Sequence, residues 1–419
     1  MGDLMWGYLE RRERTGRQAF SLVFDALSDE QAAPVRDGRL TGARLGEYLG
    51  DVRSSFVEVA IDESQQGYEV ARTLEPSHWY SLPFDDGKAP SNIWGLQGDD
   101  REATAMLLRL DGVGSSPDPA LGKAMTLLNV AGAANRITLS GGADPFVRAV
   151  PSALSLAVFD VGQGSCAALC DASGEIVAYF DYGGGWGPNA HTFPTPLCWH
   201  PHAQPPVLLS HWDLDHLIGF ERRPEVLRST WIAPDWGGTL GARHLKLAVR
   251  LGGNLTLVGR SPGAATGSHV VSIHFGTGTN KNDSGLVAHV SLPRTGRDNF
   301  DVLAPGDCSY QFLSPAAQSL SLDALIESHH GGNCHAKSSI TPGVPRPKRS
   351  TTRAIASCGW HNSYHHPNAT AFKKLQDAGW FGRRRTGMAV HGTGGFRMAG
   401  TPNPTACGTG CRQQCPRTL

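Results

Sequence analysis

Residues 210–216 concentrate side chains that can bind metal ions. They read Ser-His-Trp-Asp-Leu-Asp-His, and the potential ligands among them are His211, Asp213, Asp215 and His216. Imidazole nitrogens and carboxylate oxygens together suit a borderline divalent ion such as zinc or manganese. The apolar run at 207–209 predicts a buried strand, and residues 217–220 predict the start of a helix. A loop between them could fold these side chains onto one centre; the alternative is a capped helix start with solvated acids.

Similar side chains recur at the ends of other predicted strands. Strands over 156–159 and 176–180, predicted to pair antiparallel, each lead into an aspartate and a glycine-rich turn, at Asp160 and Asp181. Asp307 follows a strand and a glycine, and His329 and His330 follow the predicted strand 325–328. The elements that must position the chemistry are therefore short strands joined by loops.

These motifs carry a family resemblance. His-x-Asp-x-Asp-His at 211–216 resembles the His-x-His-x-Asp-His motif of the metallo-β-lactamase superfamily. It is most similar to the branch typified by the metallohydrolase domain of the DNA-uptake channel ComEC, which commonly carries aspartate at the position of Asp213. Five further motifs follow this order between residues 155 and 398: Phe-Asp-Val-Gly-Gln-Gly at 159–164, Asp-Tyr-Gly-Gly at 181–184, Gly-Asp at 306–307, Ser-His-His-Gly at 328–331 and His-Pro at 366–367.

The resemblance implies an α/β fold of the αββα type, with two mixed β-sheets flanked by helices, over residues 151–400. It implies two divalent ions, zinc or manganese with magnesium as a third option, held by His211, Asp213, Asp215, His216, Asp307 and His329. Asp307 would bridge the ions and His329 would be the terminal ligand. Asp160 and Asp181 would support metal-bound imidazoles, although each could equally be a turn aspartate that bonds its own backbone.

Three residues are implied in catalysis itself: Asp215, His330 and His366. His330 could be a ligand, a proton donor to the leaving group or a phosphate contact. His366 matches the family's histidine before proline, where a helix begins; the alternative is a helix-terminal histidine without chemistry. No clear candidate exists for the additional histidine ligand that many relatives carry, because His289 falls in the middle of a predicted strand.

The chain is neutral overall, with 38 basic and 38 acidic residues, but its charge is unevenly distributed. Residues 331–419 contain 13 lysines and arginines and a single acid, Asp377. This excess favours a polyanionic ligand, and Arg383, Arg384 and Arg385 are the predicted contacts to a nucleic acid backbone. The alternative, most open for the run at 346–349, is a solvated surface.

Nine cysteines, an odd number, fit a reducing compartment better than a disulfide framework. Residues 1–17 lack the apolar centre of a secretory signal, and no apolar run reaches 18 residues. We therefore expect a cytoplasmic protein without a membrane partner. Cys407, Cys411 and Cys415 could bind zinc, but their spacing favours a cysteine-containing tail over residues 401–419.

Residues 1–150 predict a separate α/β module. We expect helices over 4–27 and 118–130, a capping box at 28–31, a strand at 56–61 and an ordered loop over 76–100. The module could be a lid, a homo-oligomer surface or a docking site for a protein partner.

The predicted function is a divalent-metal-dependent hydrolase, a phosphodiesterase or nuclease that cleaves DNA or RNA with a metal-activated hydroxide in a dinuclear site. Two alternatives remain open at this stage. One is hydrolysis of a small ester such as a cyclic nucleotide, lactone or sulfate ester. The other is a non-catalytic component of a larger assembly.

Overall fold

The structure is a computed structural model of the whole chain, with two compact units. It describes residues 4–14, 19–65, 67–85, 91–94, 103–108, 113, 116–130, 134–138, 155–172, 175–194, 204–259, 266–267, 270–332, 343–388, 396–399 and 417–418. The first unit comprises Met1–Ala134 and Trp236–Gly253, and the second comprises Asn135–Asp235 and Asn254–Leu419. The units therefore interleave along the chain, whereas the predicted domains 1–150, 151–400 and 401–419 were contiguous.

The first unit is built on a closed antiparallel sheet. Its described strands are, in chain order, Leu4–Arg14, Ala19–Ser28, Ser55–Asp62, Trp79–Asp85, Ser91–Trp94 and Ala103–Leu108. Side chains from several of these strands, among them Leu9, Phe24, Val59 and Leu82, form its buried apolar core. The predicted strand at 56–61 is confirmed.

Two predictions for this unit are wrong. Residues 4–27 are not a helix but the strands Leu4–Arg14 and Ala19–Ser28, which pair antiparallel from Met5 with Ser28 to Arg14 with Phe20. The predicted loop 76–100 contains the strands Trp79–Asp85 and Ser91–Trp94. The first error has a physical cause: Leu22 to Leu27 are buried without interruption, so the strand shows no period-two alternation.

Helices complete the first unit. They are Asp29–Arg36, Gly42–Asp51, Tyr68–Thr73, Pro119–Ala124, Leu127–Val130 and Ala242–Leu251. The capping box is confirmed, because the Ser28 hydroxyl accepts from the backbone N–H of Gln31 and the Gln31 side chain accepts from the backbone N–H of Ser28. The single helix predicted over 118–130 is two short helices.

The first unit also buries charge. Glu10, Asp25 and His244 are all buried, and the backbone N–H of Arg243 donates to Asp25 Oδ2 at 2.9 Å. Burial raises the pKa of Asp25, and the Arg243 guanidinium opposes that shift. The Arg243 side chain also donates to Ser54. The Glu10 carboxylate is buried beside His244, whose Nδ1 lies 3.4 Å from Glu10 Oε1.

The second unit contains two mixed sheets. In spatial order, the larger consists of Arg417–Thr418, Phe396–Ala399, Ser155–Val158, Ala167–Cys170, Ile176–Phe180, Val207–Leu208, Trp231–Pro234, Leu255–Gly259 and Asn135–Thr138. The other consists of Thr266–Gly267, Val271–Phe275, Leu286–Leu292, Phe300–Ala304, Ala324–Ile326, Arg353–Ala356 and Gly382–Arg385. One apolar core joins them: Val158, Phe180 and Leu208 of the first sheet belong to the same cluster as Ile273 and Val290 of the second.

The remaining helices and short strands lie around these sheets. The described α-helices are Leu214–Leu217, Gly219–Arg222, Pro315–Gln318 and Ala369–Asp377, and the 3₁₀ helices include Gly187–Thr192, Pro224–Arg228, Tyr310–Phe312 and Ser328–Gly331. Ser321–Leu322 pairs with Arg346–Pro347 in a separate short sheet. No helix in the described part of the chain combines the length and apolar character needed to cross a membrane.

One predicted pairing is wrong in the larger sheet. The strands Ser155–Val158 and Ile176–Phe180 do not pair with each other, because Ala167–Cys170 lies between them and pairs antiparallel with both. Leu255–Gly259 pairs parallel with Trp231–Pro234 in the same sheet. The sheets place Asp181 and Asp307 shortly after the ends of the strands that precede them, as predicted.

Part of the basic C-terminal segment is used structurally. Lys348 Nζ lies 2.5 Å from Asp301 Oδ2 and 2.8 Å from Asp323 Oδ2. Burial alone would raise the pKa of Asp301, but hydrogen bonds from His289 and Lys348 hold it well below its usual range. The Lys348 charge is thus paired with acids within its own unit. His289, predicted to pack within its strand, contacts Asp301 from Leu286–Leu292.

We predict that Lys348→Met lowers the free energy of unfolding by about 1 kcal/mol at neutral pH, because two carboxylates lose their cation. The depressed pKa of Asp301 contributes stability above the unfolded-state value near 4, and this contribution is lost as the pH falls through the folded-state value. The loss in free energy of unfolding that the substitution causes should therefore be smaller below about pH 4. Urea unfolding of the variant and the wild type at about pH 7 and about pH 3 measures this loss at each pH. Lys373→Met, at an exposed helical pair with Asp377, is the control; equal losses at both pH values would contradict the assignment.

Candidate metal centre

Two histidine rings face each other at the centre of the site. Nε2 of His216 lies 3.1 Å from Nε2 of His330, and both rings are buried. Nδ1 of His330 donates to the carbonyl oxygen of Ser357 at 2.9 Å, and Nδ1 of His216 donates to Asp181 Oδ2 at 2.7 Å. Because those acceptors hold the hydrogens on Nδ1, each neutral ring directs the lone pair of Nε2 toward the other.

Carboxylates close around the same point. Asp215 Oδ2 lies 3.1 Å from His330 Nε2, and Asp307 Oδ1 lies 3.0 Å from His216 Nε2 and 3.6 Å from His330 Nε2. His211 Nε2 lies 3.9 Å from Asp307 Oδ2. Among the described residues, neither carboxylate oxygen of Asp307 nor Nε2 of His211 takes part in a well-directed hydrogen bond. Lone pairs and negative charge converge at this point, as in a site built for a cation.

Electrostatics supports the same interpretation. Burial alone would lower the pKa of His216, but Asp307 and Asp181 raise it well above the usual value. Burial alone would raise the pKa of Asp307, but His329, His216 and His330 hold it well below its usual range. The carboxylates around His216 therefore favour a positive charge at this point, which either a proton or a metal ion could supply.

Among the described residues of the second unit, the ligand atoms of two groups lie close enough to hold a metal ion; a third such group, Glu10, Asp25 and His244, lies in the first unit. One group is His211, His216 and Asp307, and the other is Asp215, His216 and His330; within each, the ligand atoms lie within 4.8 Å of one another. Every residue of both groups is buried. No protein-family model matches the chain, and no curated protein matches it in sequence.

The two adjacent histidines lie differently in the site. The ring grouped with Asp215 and His216 is that of His330, predicted as a ligand, a proton donor or a phosphate contact, whereas His329, predicted as the terminal ligand, belongs to neither group. Nδ1 of His329 lies 3.2 Å from Asp307 Oδ2, and its side chain is 22% exposed. Both residues have positive φ angles, 52° and 56°, which turn adjacent side chains in different directions. Such angles are costly for residues other than glycine and often mark functional sites.

Asp181 contacts the centre directly, and Asp160 makes a hydrogen bond typical of a turn aspartate. Asp181 accepts from His216 Nδ1 and also from the backbone N–H of Ser210 at 2.7 Å, so it fixes one imidazole and the loop beside it. Asp160 accepts from the backbone N–H of Gly162 at 3.2 Å, the contact of a turn aspartate.

His366 lies at the edge of the histidine group. Its ring centroid is 5.7 Å from that of His329, and its Nδ1 lies 3.2 Å from Gln163 Nε2. It is buried but belongs to neither group of potential ligands.

The three arginines at 383–385 have different environments. Arg383 is not a surface contact, because it forms a two-pronged ion pair with the buried carboxylate of Glu327, with Nε donating to Oε1 at 2.7 Å and Nη2 to Oε2. The Arg385 guanidinium lies over the ring of Trp360 at 4.0 Å. Of the three, only Arg384 is exposed. Cys407, Cys411 and Cys415 lie outside the described residues.

Sequence reasoning missed Lys281. It is buried, and its Nζ lies 2.6 Å from Asp213 Oδ1. Lys281 is 68 positions from Asp213 in the chain, so no local sequence pattern links the two residues.

The loop at residues 210–216, which carries the candidate ligands, depends on close backbone packing. A Cβ atom at Gly183 would lie 1.7 Å from the carbonyl oxygen of Asp215. That oxygen accepts from the backbone N–H groups of Ser165 and Gly184, at 2.9 and 3.1 Å, so it cannot move without breaking both bonds. Glycine is thus required where this chain passes behind Asp215.

We predict that Gly183→Ala lowers the free energy of unfolding by about 2–3 kcal/mol and weakens divalent-ion binding at least ~10-fold, because the added methyl displaces the backbone of Asp215. Urea unfolding and Zn²⁺ titration measure the two effects. Gly237→Ala is the matched control, since nothing lies within 4 Å of the added Cβ. Wild-type Zn²⁺ affinity in Gly183→Ala would show that the close packing does not position the ligands.

Proposed function

We propose that this chain is a divalent-metal-dependent hydrolase of the metallo-β-lactamase superfamily that cleaves phosphodiesters. The observation that carries the proposal is the convergence of His211, Asp215, His216, Asp307 and His330 in one buried group. These residues come from three separate loops, and the resemblance had assigned all of them to one site. Two mixed sheets on a shared apolar core, flanked by helices, are compatible with the αββα architecture that the superfamily implies.

Different residues of the chain would have different functions in such a reaction. A bound zinc or manganese ion would lower the pKa of a water molecule and would place a positive charge next to a phosphoryl oxygen. Asp181 and the Ser357 carbonyl hold the His216 and His330 rings with their Nε2 atoms directed inward. His329 is the half-buried ring beside Asp307 and is placed to exchange a proton with solvent or a leaving group.

A nucleic acid is the proposed phosphodiester. Residues 331–419 carry 13 basic residues against one acid, and Arg346, Arg349, Lys373 and Arg384 are exposed in their described part. Such an excess of positive charge attracts a polyanion and neutralises its phosphates. Binding of a single small ester would not require so many positive charges. We therefore favour a nuclease over a small-ester hydrolase.

We predict that Asp215→Ala lowers phosphodiester cleavage at least ~100-fold, because the variant loses a carboxylate from the centre. Cleavage of single- and double-stranded DNA and RNA, and of bis(p-nitrophenyl) phosphate, is measured with Zn²⁺, Mn²⁺ and Mg²⁺ supplied separately. Asp377→Ala, which removes an exposed carboxylate, is the control. Undiminished cleavage by folded Asp215→Ala would refute the proposed centre, and cleavage of none of these substrates by the wild type would refute the phosphodiesterase assignment.

We predict that Arg384→Glu weakens nucleic acid binding and reduces the slope of log affinity against log salt concentration by about 1, because one phosphate contact is lost. Arg383 is unsuitable for this test because reversing its charge would leave Glu327 buried beside a like charge. Arg297→Glu, at an exposed position of the same unit outside the basic segment, is the control. Fluorescence anisotropy at several salt concentrations gives the slopes; equal slopes for wild type and Arg384→Glu would exclude Arg384 from the contact surface.

A further inference from the structure

Lys281 introduces a positive charge into the candidate centre. Its side chain is buried, and its ammonium group lies 2.6 Å from Asp213 Oδ1. A buried ammonium is costly unless a carboxylate compensates it, and Asp213 is a compensating partner. The two residues therefore depend on each other energetically.

The turn that carries Lys281 is held in place. Asn280 Oδ1 accepts from the backbone N–H of Asp283 at 2.8 Å, and Asn280 Nδ2 donates to Asp283 Oδ2 at 2.7 Å. The backbone N–H of Ser309 donates to Asp283 Oδ1 at 2.8 Å, which ties the turn to the segment after Asp307. The following Gly285 packs against the backbone of Ser210, where a Cβ would lie 2.5 Å from the carbonyl oxygen. The lysine is thus presented by a fixed turn between the metal-binding loops.

Asp213 belongs to neither group of residues whose ligand atoms converge. Those two groups also share His216, whose Nδ1 is occupied by Asp181, so only Nε2 remains to bind a metal. One lone pair binds one ion, and the groups therefore cannot be filled at the same time through His216. Removing Asp213 from the ligand set leaves His211 without its nearest carboxylate, which lies 3.3 Å away.

We infer that the centre binds one divalent ion, at Asp215, His216, His330 and Asp307, and that the Lys281 ammonium replaces a second ion beside Asp213. This inference deepens the proposed function and departs from the dinuclear site that the sequence led us to expect. The ammonium group supplies positive charge without a coordination sphere, so it neutralises Asp213 while excluding a second cation by repulsion. A phosphodiester substrate would then meet one metal ion and one lysine.

Metal stoichiometry tests the inference without reference to activity. The full-length protein is stripped with a chelator and dialysed to equilibrium against Mn²⁺, and in parallel against Zn²⁺, and bound metal is measured by mass spectrometry. We expect about one equivalent for the wild type, an unchanged count in Asp213→Asn and loss of the ion in Asp215→Asn. Two equivalents in the wild type, one of them lost in Asp213→Asn, would overturn the inference.

Lys281→Gln tests the role of the ammonium directly. It leaves the Asp213 carboxylate without this cation, so we expect a second equivalent of metal to bind. The double variant Lys281→Gln/Asp213→Asn removes both charges and is expected to bind about one equivalent. Because it leaves no unpaired buried charge at this pair, it also serves as a folded comparison if the single variant does not fold. Lys373→Gln, at an exposed lysine, is the control and should match the wild type. A folded Lys281→Gln variant that still binds one equivalent, or a double variant that binds two, would show that the lysine does not exclude the second ion.

The outcomes separate this inference from the proposed function. A protein that binds one ion but cleaves no phosphodiester would overturn the function and leave the inference standing. A protein that cleaves phosphodiesters with two bound ions would do the reverse. Failure to bind any divalent ion would overturn both.

Discussion

The crowding of ring nitrogens and carboxylate oxygens in a buried space is the constraint on which the second unit depends. Nε2 of His216 and Nε2 of His330 are separated by 3.1 Å, with Asp215 and Asp307 beside them. Such a group repels itself unless a cation lies within it, because the interior screens charge weakly. A proton on His216 can meet that demand in part, and a divalent ion can meet it with bonds to several ligands at once.

The surrounding structure holds this unfavourable group together. Asp181 fixes one ring and the loop after Val207–Leu208, and the Ser357 carbonyl fixes the other ring. The backbone of Gly183 packs closely against that of Asp215, and this contact fixes the position of the Asp215 carboxylate in the site. Since the strand ends are anchored by a common apolar core, the cost of bringing like charges together is met by packing elsewhere in the unit.

Ion pairs beside the centre determine which charges remain available. Arg383 forms an ion pair with Glu327, next to the turn that carries His329 and His330. Lys348 forms ion pairs with Asp301 and Asp323. Lys281 likewise forms an ion pair with Asp213. A count of basic residues therefore overstates the charge that can meet a ligand, and the exposed Arg384 is a better measure of it than the run Arg383–Arg385 as a whole.

The sequence by itself identified several strands and loops of the second unit and the residues that could ligate a metal. Apolar runs that end in glycine and aspartate are local signals, and Asp181, His216 and Asp307 could be identified from them because each lies at a strand end. Only the tertiary structure decided which of two adjacent histidines joins Asp215, since that choice depends on the backbone angles at His329 and His330. It also decided the partners of Lys281, Arg383 and Glu10, whose opposite charges lie far away in the chain. The strand Ala19–Ser28 was missed for a related reason: the helices Asp29–Arg36 and Ala242–Leu251 pack on the closed sheet, and burial on both faces removes the alternation that a local pattern would show.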